Sequence, residues 1–131
     1  MKRIFKTIAF ASLLFLASCG NNPEKSRNFY DKGMDYLYCS QFEEAIENFD
    51  KAIKYNDQNH EAYFYRGCAK YNIFQRESAI EDYNKTLELN PNYLQAYFNL
   101  GLYYRSINDY DMACYYLKIA EAKVRHNIED Y

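Results

Sequence analysis

Two prolines and four glycines in 131 residues are too few for a collagen-like or low-complexity polymer, so one compact domain is the expectation. There are only two histidines, and neither His60 nor His126 has the neighbours a metal site requires. The four cysteines include no CxxC pair, and there is no zinc signature and no glycine-rich phosphate loop. No apolar run reaches the roughly twenty residues a membrane-spanning helix needs; the largely apolar, uncharged segment near the start, residues 7–18, has twelve. Carboxylates are plentiful, but Glu43, Glu44, Glu61, Asp109 and Asp111 fall at predicted helix starts, where negative charge suits the positive end of the dipole. No constellation of acid, base and nucleophile emerges, so neither an enzyme nor a cofactor or metal is expected.

The first eighteen residues do carry a signal. Lys2, Arg3 and Lys6 precede the short apolar stretch, which is the layout of a secretory signal peptide. The stretch ends in Leu16-Ala17-Ser18-Cys19, which resembles the bacterial lipobox. That resemblance implies diacylglyceryl transfer to the Cys19 thiol, cleavage before it, and acylation of the new terminus with fatty acids such as palmitate. The chain would then divide into a lipoprotein signal peptide (1–18), a lipidated tether (19–25), a folded domain (26–127) and a short tail (128–131). Without the signal, thirteen basic residues face eighteen acidic ones, a charge of about −5, which speaks against gripping nucleic acid. Gly20 after the cysteine, rather than aspartate, resembles outer-membrane sorting in Gram-negative bacteria. The remaining Cys39, Cys68 and Cys114 are odd in number and widely spaced, and read as small packing residues.

A period organises the rest. Gly33, Gly67 and Gly101 are 34 residues apart, as are Ala45, Ala79 and Ala113, dividing the chain into 26–59, 60–93 and 94–127 without a gap. Apolar spacings of three and four within each unit predict two helices, as in "YFYRGCAKYNI" followed by "ESAIEDYNKTL". Asn56-Asp57-Gln58-Asn59 and Asn90-Pro91-Asn92 are the expected stops between units. The pattern is similar to the tetratricopeptide repeat: Phe29, Gly33, Tyr36, Ala45, Phe49 and Ala52; Tyr63, Gly67, Ala79, Tyr83 and Pro91; Tyr97, Leu100, Gly101, Tyr104, Ala113 and Ala120. The resemblance implies an all-α fold, an α-solenoid of three helix-turn-helix repeats whose six helices form a right-handed superhelical stack.

Close approach of paired helices requires small side chains at their crossing, so glycine on each first helix is expected to meet alanine on the second. Lys32 and Arg66 replace the family's leucine, Lys70 its tyrosine and Thr86 a small residue; the long stems are expected to lie on apolar surface with their charges in water. After the third unit no full helix follows to cover the last apolar face, around residues 119–124, which leaves it for a partner, a second copy in a homodimer, or fraying.

In such solenoids the first helices line the concave surface. The stripe beside their packing stripe holds Tyr30, Met34 and Tyr38, then Phe64, Cys68 and Tyr71, then Phe98, Leu102 and Arg105. Aromatics with arginine are frequent interface anchors, so these nine residues are the candidate partner-binding set, though packing of first helix on first helix also claims Tyr30, Phe64 and Phe98. A carboxylate clamp for acidic C-termini is not expected, because the places for lysine and asparagine hold aromatics, Met34 and Cys68. The expectation is a lipid-anchored adaptor of the bacterial envelope that binds a protein or peptide, with glycan binding by the sixteen tyrosines as the alternative.

Overall fold

The computed structural model describes residues 20–129, with side chains as far as His126. Cys19 and the segment before it lie outside the described residues. Among the described residues there are six helices and no strand: α1 (Pro23–Tyr38), α2 (Phe42–Tyr55), α3 (His60–Asn72), α4 (Arg76–Leu89), α5 (Leu94–Ser106) and α6 (Tyr110–Glu129). Each odd-numbered helix pairs with the next to form a hairpin, and the hairpins stack in chain order through α2 on α3 and α4 on α5. The molecule is the three-hairpin solenoid that the 34-residue period predicts.

Local chemistry sets the helix ends. Asn22, Asn59 and Asp109 accept hydrogen bonds from the backbone N–H groups of Lys25, Ala62 and Met112 at 2.9–3.1 Å, satisfying donors that a helix start leaves unpaired. Asn22 is followed by Pro23, whose missing N–H costs nothing in the first turn. Helix α1 therefore begins three residues earlier than Ser26, and residues 23–25, expected in the tether, are helical. Between hairpins, Asn56 and Asn90 each accept from the backbone two residues on (Gln58 and Asn92, 3.1 Å), forming matching turns 34 residues apart. Within hairpins, Ser40, Phe74 and Asn108 take left-handed φ angles of 58–65°, while the next residue's N–H reaches back to the carbonyl of Tyr36, Lys70 or Tyr104.

The glycines do meet the facing alanines at two crossings, where the Ala79 and Ala113 carbonyls lie 3.1 and 3.5 Å from where a Cβ would stand on Gly67 and Gly101, but at all three the tightest neighbour is a large side chain. A methyl at Gly33 would lie 2.7 Å from the Phe49 ring; at Gly67, 2.8 Å from the Tyr83 ring; at Gly101, 2.6 Å from Leu117. Each second helix thus drives a large side chain into the notch left by a missing Cβ. The alanines fill the rest: Ala45, Ala52, Ala62 and Ala69 are fully buried around Phe49, and Ala79 and Ala96 around Tyr83 and Leu100. A glycine in mid-helix costs about 1 kcal/mol against alanine, less than the cost of overpacking such a crossing.

The substituted positions depart further from expectation. Arg66 and Lys70 do not send their charges to water; both converge on Asp82 of α4, which is only 3 % exposed. Arg66 grips Asp82 with two parallel bonds (2.9 and 2.5 Å) and holds Asp50 of α2 at 2.6 Å, while Lys70 lies 2.8 Å from Asp82. Burial alone would lower the Arg66 pKa, but the bonds and charges of Asp82 and Asp50 outweigh it and raise it. One cluster therefore ties α2, α3 and α4 together. Thr86 fills its place by donating to the Asp82 carbonyl at 2.9 Å. Lys32 stays exposed, 5.6 Å from the Phe29 ring. The cysteines also differ from expectation. Cys39 caps α1 and Cys114 lies on the outer side of α6, both exposed, and only Cys68 packs inside.

Candidate functional site

The nine candidate residues occupy the first helices as the spacing predicts, but with very different accessibility. Tyr38 is 79 % exposed at the end of α1, Phe98 is 50 % exposed on α5, and Arg105 is exposed in the last turn of the same helix. Met34, Tyr71 and Leu102 are half-buried. Tyr30 is partly used internally, with its ring 6.0 Å from both Phe49 and Tyr65. Phe64 is core: only 6 % exposed, it is wedged among Tyr65, Tyr83 and Tyr93 at 4.9–5.6 Å. At these two positions, therefore, helix packing takes most of the ring, and the hairpins hold their neighbours through aromatic contacts worth on the order of 1 kcal/mol each beyond area burial.

Three of the nine, Cys68, Tyr71 and Leu102, meet in a cavity of about 180 Å³ between α3 and α5, completed by Asn72, Asn99 and Tyr83. Its floor is the Cys68 thiol, approached by the Tyr83 hydroxyl at 3.7 Å and the Asn99 amide at 3.8 Å. Burial pushes the thiol up to about 11, and the two donors offset only part of that, so at neutral pH the floor is an uncharged SH. Burial likewise raises the Tyr83 hydroxyl, so it too stays neutral. No carboxylate, lysine or arginine lines the cavity. It offers two amides, a thiol, a phenol and apolar walls, a set that suits an uncharged group and supplies no cation to pair with a carboxylate. Arg76 stands beside it, 5.8 Å from the Tyr71 ring and the same distance from exposed Phe74.

Sequence reasoning missed Tyr83 and Asn99. Tyr83 comes from a second helix and reaches the cavity past Gly67, while Asn99 belongs to the next hairpin. The 34-residue period carried the signal for both: Asn99 aligns with Tyr65 and Asp31, an inter-hairpin position. Among the described residues no group of three or more His, Cys, Asp or Glu could hold a metal ion, and no helix is long and apolar enough to cross a membrane.

Several solved structures resemble this one. A structure of MamA aligns with a TM-score of 0.78 and 26 % identity over 82 % of the chain; this chain spans 63 % of that protein and 57 % of a second MamA structure. The complex of the yeast Sti1 TPR2AB domain with pHSP90 aligns with a TM-score of 0.77 and 25 % identity, covering 88 % of this chain and 45 % of that one. The complex of the Sti1 TPR2B domain with pHsp70 gives 0.73 and 25 %, covering 76 % and 80 %. No curated protein matches the chain. A family model described as TPR repeat matches residues 33–73 and 75–108, more than half of the sequence. With the notched hairpins, the 34-residue period and this match together, the chain belongs to the tetratricopeptide repeat family.

Proposed function

We propose that the protein is an adaptor lipoprotein of the bacterial cell envelope, held at the membrane through Cys19, probing for a protein partner with the face of α1, α3 and α5. The observation that carries the binding part is the neutral cavity at Cys68, Tyr71 and Leu102, set between exposed Tyr38 and exposed Phe98 and Arg105. A cavity of about 180 Å³ is of side-chain size, and the exposed residues on either side extend the contact along a segment of chain. The partner reading draws support from the peptide complexes among the similar structures. The ligand differs in chemistry: the cavity takes an uncharged side chain, with Asn72 and Asn99 available to its backbone. The alternative occupant, a glycan, finds open ring faces at Tyr38 and Phe98 but fewer at Tyr30 and Tyr71. Tyr30 lies near Phe49 and Tyr65, and Tyr71 lies near Arg76.

The anchor rests on Leu16-Ala17-Ser18-Cys19 behind the short apolar stretch, and the outer-membrane assignment on Gly20. With the helix starting at Pro23, only residues 20–22 intervene, a reach of about 10 Å, so the domain works against the bilayer surface. Replacing Cys19 by alanine should abolish metabolic labelling with palmitate and accumulate precursor; a processed, membrane-bound product would refute the anchor. Photo-crosslinkers at Tyr71 and Arg105 in living cells should trap one defined protein. Capture of polysaccharide, or of nothing above background, would overturn the adaptor reading.

A further inference from the structure

The stack ends in a groove of about 560 Å³ between α5 and α6, lined by Leu94, Phe98, Leu117, Ala120 and Val124, with Glu121 among them. The internal period shows what such a groove is for. Stepping back 34 residues, Phe98 and Leu117 become Phe64 and Tyr83; another step gives Tyr30 and Phe49. On the first hairpin, Tyr65 of α3 covers them, 6.0 Å from Tyr30 and 6.3 Å from Phe49. On the second, Tyr93 at the entry to α5 packs 4.9 Å from Phe64. Phe64 is 6 % exposed where its counterpart Phe98 is 50 % exposed. Twice in this chain the surface is roofed by the next helix; among the described residues the third copy has no roof.

The third copy is also reshaped. Where Asn56 and Asn90 turn the chain out of α2 and α4, the matching residue is Val124, which has no side-chain acceptor for a turn. Helix α6 accordingly runs 20 residues where α2 and α4 run 14, passing straight through the turn position. Val124 thereby becomes groove wall, and at the series Ser26, His60, Leu94 the polar residues of the first two units give way to leucine. At these two positions the groove is more apolar than its covered counterparts.

We propose that this groove is a second docking site, adjoining the cradle at Phe98 and Asn99, which receives an amphipathic helix of another protein. The roof on the first hairpin defines its chemistry. Helix α3 presents Ala62, Tyr65 and Ala69, a small–x2–aromatic–x3–small face, and all three pack in the cluster around Phe49. The occupant is not α1 of a second copy. At the matching places α1 carries Asn28, Asp31 and Asp35, all exposed; Asp31 pairs with Arg27 at 3.1 Å on the surface, and burying both carboxylates against Phe98 and Val124 would strip them of water. Helix-in-groove binding of this kind needs an apolar face on a preformed helix.

The test titrates the full chain with two lactam-bridged synthetic helices, one carrying residues 59–73 (the α3 sequence) and the other residues 25–39 (the α1 sequence), followed by fluorescence anisotropy. The α3 peptide should bind saturably and at least about tenfold more tightly than the α1 peptide. Val124→Asp and Phe98→Asp should each weaken it about tenfold. Both sites are exposed enough (41 % and 50 %) for the fold to survive, which helical circular dichroism checks. Equal binding of the two peptides, or indifference to both substitutions, would overturn the proposal. So would a wild-type dimer in sedimentation that Val124→Asp dissociates, because the occupant would then be a second copy.

Discussion

The two ends of the stack are built from the same repeat and behave as opposites. At the first end, α1 turns Asn28, Asp31 and Asp35 to solvent in the places where α3 buries Ala62 and Ala69 and packs Tyr65. At the last end, α5 and α6 leave Phe98 and Val124 in the open beside Leu117. A repeat carries a receiving face and a donating face, and a stack of repeats must do something with the two that remain unused. Among the described residues the donating face is closed with charge and the receiving face is left apolar. The polarity of the solenoid is thus a property of about six side chains and not of its backbone.

The comparison holds only while the middle hairpin couples the ends, and its buried ions are the point of greatest leverage. Asp82→Ala leaves Arg66 and Lys70 confined without their shared carboxylate, and should cost about 3 kcal/mol in urea unfolding, collapsing both ends in one transition. A loss below about 1 kcal/mol would show that the cations escape to water. Next in size is the asymmetry of the notches. Gly33→Ala forces a methyl against the Phe49 ring, which is fully buried and has nowhere to go. Gly101→Ala meets Leu117, which borders the open groove and can rotate into it. The first should cost about 2 kcal/mol and the second under about 1, measured the same way; equal losses would mean that the groove gives no slack.

A third change would erase the difference between the ends. Asn28→Ala, Asp31→Tyr and Asp35→Ala together give α1 the face of α3. These surface changes should move stability by only about 0.5 kcal/mol each, yet the molecule should now add head to tail into open chains that grow with concentration in sedimentation. A monomer at all concentrations would show that charge on α1 is not what keeps the copies apart. The smallest effect is chemical. With its pKa raised from 9.0 to about 11, Cys68 carries about a hundredfold less thiolate below pH 9, so maleimide should label Cys39 and Cys114 first. The sign follows for stability too: the unfolded thiol ionises near 9 while the folded one resists, so the fold loses stability as pH rises from 9 towards 11. Cys68→Ser should remove the thiol's share of that loss and leave the share of the buried hydroxyls of Tyr83, Tyr30 and Tyr93, which burial also raises.

The hairpins were legible because their determinants repeat: Gly33, Gly67 and Gly101 mark each crossing, and a spacing of 34 needs no structure to be seen. What fills the notch was not, since Phe49, Tyr83 and Leu117 are bulky for reasons that only the missing Cβ explains. Asp82 was missed, and the charges of Arg66 and Lys70 were misplaced, because a carboxylate on an amphipathic helix looks like a solvated one. Its signal lay in the two departures themselves, as Arg66 and Lys70 flank Gly67 on the face that meets α4, and two cations there call for an acid opposite. Accessibility along the cradle was illegible for a related reason. Tyr30, Phe64 and Phe98 share one position in the period, and their burial depends on whether another hairpin follows.

The first turn of α1 has a mechanical consequence. The Asn22 N–H donates to the Tyr55 carbonyl at 2.8 Å, Asn22 caps the helix, and Pro23 fixes the next φ, so the chain is clamped to the far end of α2 as soon as it enters the fold. A domain held at Cys19 through two further residues would be less a balloon on a string than a lever on a bracket. Force applied to the cradle would reach the membrane as torque through that clamp, with almost no compliant chain to absorb it.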